Sequence, residues 1–153
     1  MKRHKGIQPL SRYHHAGLLF CWKIRQGIEK NVSAQRLRLY VKHFWEGHLQ
    51  VHFKEEESML FPLLKDDITE QAIREHGYVE RLIGMIVPAT ENEMGQFKEL
   101  ADALDNHIRF EERVVFPHIE REVPEETLAA LGDRLSQLHG ILEQDNSPDT
   151  FWV

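Results

Sequence analysis

Apolar residues along the chain recur at steps of three and four positions, which is the spacing of one face of an α-helix. No segment alternates apolar and polar residues for long enough to predict a strand. In the first predicted helix, which runs from about Pro9 to Glu29, the apolar positions are Leu10, Leu18, Cys21, Ile24 and Ile28. The pattern therefore predicts an all-α fold.

Short breaker segments divide this pattern into four long helices and one shorter helix. The second helix follows Ser33, which is a predicted N-cap, and proline should kink or end it at Phe61-Pro62. The third helix covers about Glu70 to Val87. The fourth starts at a capping-box spacing between Thr90 and Glu93 and continues to about Phe116-Pro117. The shorter fifth helix starts at Pro124 and ends near Gly140.

Four long helices with short connections favour an antiparallel up-down-up-down four-helix bundle. The second and fourth helices end in related phrases, HFKEEESMLFP at 52–62 and HIRFEERVVFP at 107–117. The chain therefore reads as two helical hairpins with an additional short C-terminal helix. We expect an N-terminal segment over 1–8, the bundle over 9–122, and the C-terminal helix and tail over 123–153. The tail is expected to be loosely ordered unless Phe151 and Trp152 dock.

Composition excludes several classes of site. The formal net charge is −6, so the chain lacks the basic footprint of a nucleic-acid-binding domain. Cys21 is the only cysteine, which excludes an internal disulfide, a cysteine zinc finger and an iron–sulfur cluster. No apolar run approaches the roughly 18–20 residues that cross a bilayer, and no signal-peptide pattern follows the N-terminus. We expect no membrane partner and a cytoplasmic location.

The 10 histidines are where chemistry is expected. His52 lies four residues before Glu56, and His107 lies four before Glu111, so each pair shares one helix face. With a rise of about 1.5 Å per residue, the histidines of the four long helices fall within about one turn of a common level. The sequence thus predicts that four imidazoles and two carboxylates meet in the bundle interior. The histidines of the first and third helices that lie on the apolar stripe are His14 and His76.

This donor set favours a metal site. A buried carboxylate is costly without a cation, so an inward-facing Glu56 and Glu111 argue for bound metal. Six ligands are too many for one tetrahedral zinc ion and suit two carboxylate-bridged ions of a transition metal, above all iron. The alternative is structural duplication without a metal, because one His-x-x-x-Glu pair on an exposed helix is usually solvated.

The combined motifs resemble the hemerythrin family in its broad bacterial HHE-type form. The resemblance implies a four-helix bundle with a non-haem centre of two irons per chain. It implies that two carboxylates bridge the irons and that the ligands are His14 or His15, His52, Glu56, His76, His107 and Glu111. The segments that carry it are His14-His15, HFKEE and FP within 52–62, REH at 74–76, and HIRFEE and FP within 107–117.

The chain departs from the oxygen-carrying members of that family at two positions. Those members place another histidine four residues after the third-helix histidine, where this chain has Glu80. They also carry His-x-x-x-x-Asp on the last helix, in place of the His107-x-x-x-Glu111 found here. With one imidazole fewer, the site becomes harder and more anionic, which favours ferric over ferrous iron. Reversible oxygen carriage is therefore in doubt.

Several assignments stay open at the level of sequence. His14 is in register with Leu10 and Cys21 and is preferred over His15, which shares a face with Trp22. Glu80 is a further ligand, a carboxylate that orients an imidazole, or a surface acid. Residues expected to lie outside the ligand set are the surface charges Glu55, Glu57 and Glu112, the packed His48, and Cys21 as a small core residue.

Three classes of function fit this reading. We expect a binding or sensing protein, more than an enzyme, whose di-iron site takes oxygen, nitric oxide or peroxide, or responds to iron or redox state. The first alternative is a di-iron oxidase or peroxidase. The second is an iron store or donor for the repair of iron centres. A surface of the fifth helix is expected to serve a homodimer or another protein partner.

Overall fold

A computed structural model describes residues 3–138 and 147–153 of the protein. Within these ranges every regular element is helical, so the all-α prediction is confirmed there. The predicted end of the last helix near Gly140 lies outside the described residues. The α-helices are α1 (Gln8–Glu29), α2 (Ala34–Phe44), α3 (Gln50–Glu55), α4 (Asp67–Ile86), α5 (Met94–Phe110), α6 (Phe116–Glu122) and α7 (Glu125–Leu138).

Three π-helical turns interrupt the α-helical pattern that the apolar spacing predicts. One joins α2 to α3 over Trp45–Leu49, a second follows α3 over Glu56–Leu60, and a third joins α5 to α6 over Glu111–Val115. The chain thus has four long helical rods: α1, the continuous segment 34–63, α4, and the continuous segment 94–122. The second and fourth rods contain an extra residue per turn at the π-helical places. A π turn is difficult to see in a sequence because the apolar spacing on either side of it stays helical.

The two Phe-Pro pairs have different outcomes. The second rod ends in the 3₁₀ turn Phe61–Leu63, as the proline predicts. The fourth rod instead continues through Pro117 to the end of α6, so the end predicted there is wrong. The physical reason is that the Phe116 N–H donates to Glu111 O across the π turn. The next carbonyl, that of Glu112, accepts from the Arg3 guanidinium at 3.0 Å in place of the missing proline N–H.

Capping residues set the helix starts. The Ser33 hydroxyl accepts from the Arg36 N–H at 3.3 Å, which confirms Ser33 as an N-cap. Asp66 caps α4 by accepting from the Thr69 N–H at 3.2 Å. The predicted capping box at Thr90 is displaced, because α5 begins at Met94 with Glu93 as its N-cap.

A buried polar layer divides the apolar core into two clusters. In the first cluster, Phe20, Phe44 and Leu100 pack on one side of that layer. In the second, Leu10, Leu60 and Phe116 pack on the other side, together with residues of α7. The largest helix–helix contacts are those of α1 with α5 and of α4 with α5. No described helix has both the length and the apolarity that a membrane span needs.

Both ends of the described chain are fixed to the helices. Gly6 lies against α7 so closely that a Cβ there would come within 2.0 Å of Leu128 O. At the other end, Phe151 is 5% exposed, with its ring centroid 5.0 Å from that of Tyr40. Asp149 accepts two hydrogen bonds from the Arg36 guanidinium. The expectation of a loosely ordered tail is therefore wrong for residues 147–153, where the docking alternative holds.

The docked tail yields a stability prediction. Replacing Phe151 by Ala should lower the free energy of unfolding by about 3 kcal/mol, because it leaves a cavity beside Tyr40. Denaturant unfolding followed by circular dichroism measures the difference. Val153→Ala is the matched control, since that side chain is 85% exposed and its loss should change stability by less than about 0.5 kcal/mol. Equal stabilities of the two variants would contradict the docked tail.

Candidate metal centre

One buried layer collects donor side chains from all four long helical rods. α1 and α4 each contribute one histidine, while the rods that contain α3 and α5 each contribute a histidine and a glutamate one turn later. All six side chains are at most 4% exposed in a layer with apolar residues on both sides. The members are His14, His52, Glu56, His76, His107 and Glu111.

Both glutamates occupy the first position of a π turn. The carbonyl of Glu56 accepts from the Phe61 N–H, and that of Glu111 accepts from the Phe116 N–H, each across five residues. The extra residue rotates the following chain by about 100° relative to a continued α-helix, and it brings both phenylalanines into the core. Such π turns are frequent at functional sites. Here a π turn begins at the glutamate in each of the two repeated segments, 52–62 and 107–117.

The Glu111 carboxylate lies between two imidazoles from different helices. Its Oε1 is 2.9 Å from His14 Nε2 and 3.1 Å from His107 Nε2. Its Oε2 is 4.0 Å from His76 Nε2. Glu111 is thus in reach of histidines from α1, α4 and α5.

The Glu56 carboxylate has the corresponding position on the other side of the layer. Its Oε1 is 3.0 Å from His76 Nε2 and 3.4 Å from His52 Nε2, and its Oε2 is 3.9 Å from His14 Nε2. The donors therefore form two overlapping groups of four whose atoms lie within 4.8 Å of one another. One group adds His14 and His52 to the two glutamates, and the other adds His76 and His107.

Most of these inward-facing atoms have no hydrogen-bond partner, although they are fully buried. Buried polar atoms are nearly always paired, and each orphan costs free energy. Several nitrogen–oxygen distances are short, yet most of these atoms make no hydrogen bond; donor atoms that crowd together without pairing are an arrangement that a bound cation would satisfy. The orphaned atoms are both ring nitrogens of His52, both carboxylate oxygens of Glu56, Nε2 of His76 and of His107, and Oε2 of Glu111.

Three of the four imidazoles are held from behind by a further carboxylate. Each of these carboxylates accepts from an Nδ1–H, which fixes the tautomer and leaves the Nε2 lone pair free to bind metal. The pairs are His14 with Glu112 at 2.7 Å, His76 with Glu57 at 2.7 Å, and His107 with Glu75 at 2.8 Å. The expectation that Glu57 and Glu112 are only surface charges is therefore wrong, and Glu55, predicted with them as a surface charge, is buried. Glu75 was missed because its bond crosses from one helix to another.

The remaining predicted candidates lie outside the cluster. His15 is exposed, so of the two neighbouring histidines the structure brings only His14 into the layer. Glu80 is exposed as well and does not belong to the layer. His48 is buried and stacks on Phe44 with 5.6 Å between ring centroids. Burial raises the pKa of the Cys21 thiol to about 12, which keeps it protonated and unreactive.

The electrostatics of the metal-free layer are uneven. Burial and the neighbouring Glu111 together raise the pKa of Glu56 well above its ordinary value. Burial also acts to raise the pKa of Glu111, but the adjacent His107 and His14 outweigh it and hold that pKa well below normal. Burial acts to lower the pKa of His107, yet Glu111 and Glu75 raise it to about 9. A divalent cation would favour the ionised glutamates and the neutral imidazoles.

Comparison with known protein families supports the interpretation of the buried layer as a cation site. The family model described as the Hemerythrin HHE cation binding domain matches residues 6–119, and matches again over 67–145. Searches of curated proteins and of solved structures find no match. The first match spans every member of the buried layer.

The protonation of the layer predicts a pH dependence of metal binding. Glu56, with its raised pKa, and His107, with a pKa of about 9, must lose protons before a cation can bind. Affinity for a probe such as Co(II) should therefore rise with pH below about 9, by roughly tenfold per pH unit for each proton displaced. Calorimetric titration at about pH 6 and about pH 8 in buffers of different ionisation enthalpy counts the protons. Affinity independent of pH would contradict the assignment.

The two glutamates should also affect the metal-free protein in opposite directions. At neutral pH, Glu56→Gln should raise the free energy of unfolding by about 1 kcal/mol, because it removes a carboxylate that burial disfavours as an anion. Glu111→Gln should lower it by about 3 kcal/mol, because His14 and His107 lose the anion that stabilises them. Urea unfolding in the presence of a chelator measures both. Changes of the same sign would contradict the charge distribution described above.

Proposed function

The chain belongs to the family of hemerythrin HHE cation-binding domains, and we propose on this basis that its buried layer holds two iron ions bridged by Glu56 and Glu111. The observation that carries the proposal is the overlap of the two four-residue groups, which share both glutamates and no histidine. His14 and His52 would hold one ion together with the two glutamates, and His76 and His107 would hold the other together with the same glutamates. Four protein ligands leave open positions on a metal that prefers six, which suits the binding of a small ligand.

The architecture that fits this site is an antiparallel up-down-up-down four-helix bundle, with α7 as an additional helix packed at one end. Its support is that every long helical rod supplies a donor at one level, and that α5 contacts both α1 and α4. The donors then line the interior of the bundle, where side chains from facing helices ordinarily build metal sites.

Access to the site is narrow. A cavity of about 10 Å³ lies beside the layer, which is roughly the space of one water molecule. Its lining includes Tyr13, Gly17 and Leu49 together with His14 and His52. Such a cavity favours a molecule of two or three atoms over a larger organic substrate. We therefore assign the site to oxygen, nitric oxide or peroxide as ligand, in a binding or sensing role.

The roles of the chain's own residues follow from their contacts. Bound iron supplies a reversible change of oxidation state and an affinity for such small ligands. Glu57, Glu75 and Glu112 keep three imidazoles in the tautomer that presents Nε2. The two apolar clusters exclude bulk water from both sides of the layer.

Metal analysis of anaerobically purified protein tests this proposal. We expect about two irons per chain, an optical spectrum that changes on exposure to oxygen or nitric oxide, and recovery of the first spectrum on ligand removal. His52→Ala should reduce the iron content and abolish the spectral change. His15→Ala is the matched control. The His15 imidazole is exposed next to His14, so its loss should leave the iron content and the spectral change unaltered.

Two outcomes would redirect the assignment. Zinc, or less than one metal per chain after loading with iron, would overturn the di-iron centre. Steady consumption of peroxide or oxygen that disappears in His52→Ala would replace the binding role by an enzymatic one. In either case circular dichroism of the variant confirms that the helices are intact.

A further inference from the structure

The two halves of the buried layer are related by the repeat in the sequence. His14 corresponds to His76, His52 to His107, and the bridging glutamates to one another. The residue after each bridging glutamate is again a glutamate, and each of these accepts from the histidine of the opposite hairpin. These matched bonds join Glu57 to His76 and Glu112 to His14, both at 2.7 Å.

The correspondence fails at the residue before the first histidine of each hairpin. Before His76 stands Glu75, which accepts from His107 Nδ1 at 2.8 Å. Before His14 stands Tyr13, whose ring stacks on His52 with centroids 5.0 Å apart. His52 is 3% exposed, and neither of its ring nitrogens has a hydrogen-bond partner. One imidazole of the pair is thus held by an anion, and its counterpart is held by an aromatic face.

The correspondence fails a second time at the glutamates that accept from the imidazoles, which we call the outer glutamates: Glu57, Glu75 and Glu112. Glu112 accepts from the Ser11 hydroxyl at 2.9 Å and is paired with the Arg3 guanidinium at 3.3 Å. Within the described residues, Glu57 and Glu75 have no lysine or arginine partner; Glu75 accepts only from His107 and from the Gln71 amide, the latter at 3.0 Å. A cation and a hydroxyl withdraw charge from Glu112, so its bond polarises His14 less than the other two bonds polarise their imidazoles.

From these two differences we infer that the two metal positions are inequivalent: the ion at His76 and His107 is held tightly, and the ion at His14 and His52 is weakly held and exchangeable. The inference rests on the proposed dinuclear site. An imidazole that donates to an unneutralised carboxylate is a more basic ligand, and loss of such a partner typically costs about 10–100-fold in metal affinity. The tight position has two such partners and the weak position has none.

A test must identify which position fills first, because repulsion between two dications separates the binding steps in any dinuclear site. Metal-free protein labelled with ¹⁵N-histidine is titrated with Zn(II), a diamagnetic probe, and the ring nitrogen resonances are followed. We expect His76 and His107 to shift during the first equivalent and His14 and His52 during the second. Parallel shifts of all four, or the reverse order, would overturn the inference.

Variants of the outer residues provide a second, independent readout with Co(II) and a competing chelator. Glu75→Gln should weaken the first binding step by about tenfold or more, whereas Tyr13→Glu and Arg3→Gln should each tighten the second step. Glu70→Gln is the matched control, since that carboxylate is exposed on the same helix and outside the layer. If Glu75→Gln weakened only the second step, the assignment of the tight position would be wrong.

The outcomes separate this inference from the proposed function. Failure to bind more than one Zn(II) or Co(II) per chain would overturn the dinuclear site itself. Two bound ions that distribute equally between the positions would leave the dinuclear site in place and overturn only the inequivalence.

Discussion

The rest of the structure depends on the burial of two carboxylates in one layer. Glu56 and Glu111 have no exposed surface, and apolar clusters lie on both sides of them. Two neighbouring anions in such a place repel each other and lose their hydration, so the fold is stable only if protons or cations neutralise them. Without metal, histidines compensate Glu111, and Glu56 is driven toward its protonated form. A dication bound in this layer would neutralise both carboxylates and offset the cost of burying them.

Backbone contacts outside the buried layer influence the residues that surround it. The π turn at Glu111 leaves the carbonyl of Glu112 without a helical donor, because the next candidate donor is Pro117. Arg3 occupies that carbonyl and also pairs with the side chain of the same glutamate. The N-terminal segment is held in turn by Glu120 and by the close approach of Gly6 to α7. Packing of α7 therefore bears indirectly on the electrostatics around His14.

Sequence reasoning predicted the elements and the inward-facing donors because both follow from helical periodicity. The duplicated His-x-x-x-Glu phrase places its two donors on one face whatever the neighbouring helices do. The interactions that periodicity could not supply are those between helices, such as Glu75 with His107, which depend on the rotation of α4 relative to α5. The same limit applies to Glu57 and Glu112: one residue beyond a ligand they point about 100° away, yet they reach imidazoles on neighbouring helices. The continuation through Pro117 was missed because it requires a π turn and a donor from the N-terminus.

The repeat also explains why the departures from symmetry carry chemical meaning. The two hairpins agree at the histidines and glutamates of the layer, at the π turns and at the adjacent glutamates, and this agreement is what the proposed dinuclear site would require. Tyr13 stands in one hairpin where Glu75 stands in the other: Tyr13 stacks on the face of the His52 ring, whereas Glu75 accepts from His107 Nδ1. An anion there increases the basicity of the imidazole, and an aromatic ring does not. The half of the layer that contains His14 and His52 is thus the half with the less basic ligands, which is the arrangement expected of the proposed site with one tightly held and one weakly held ion.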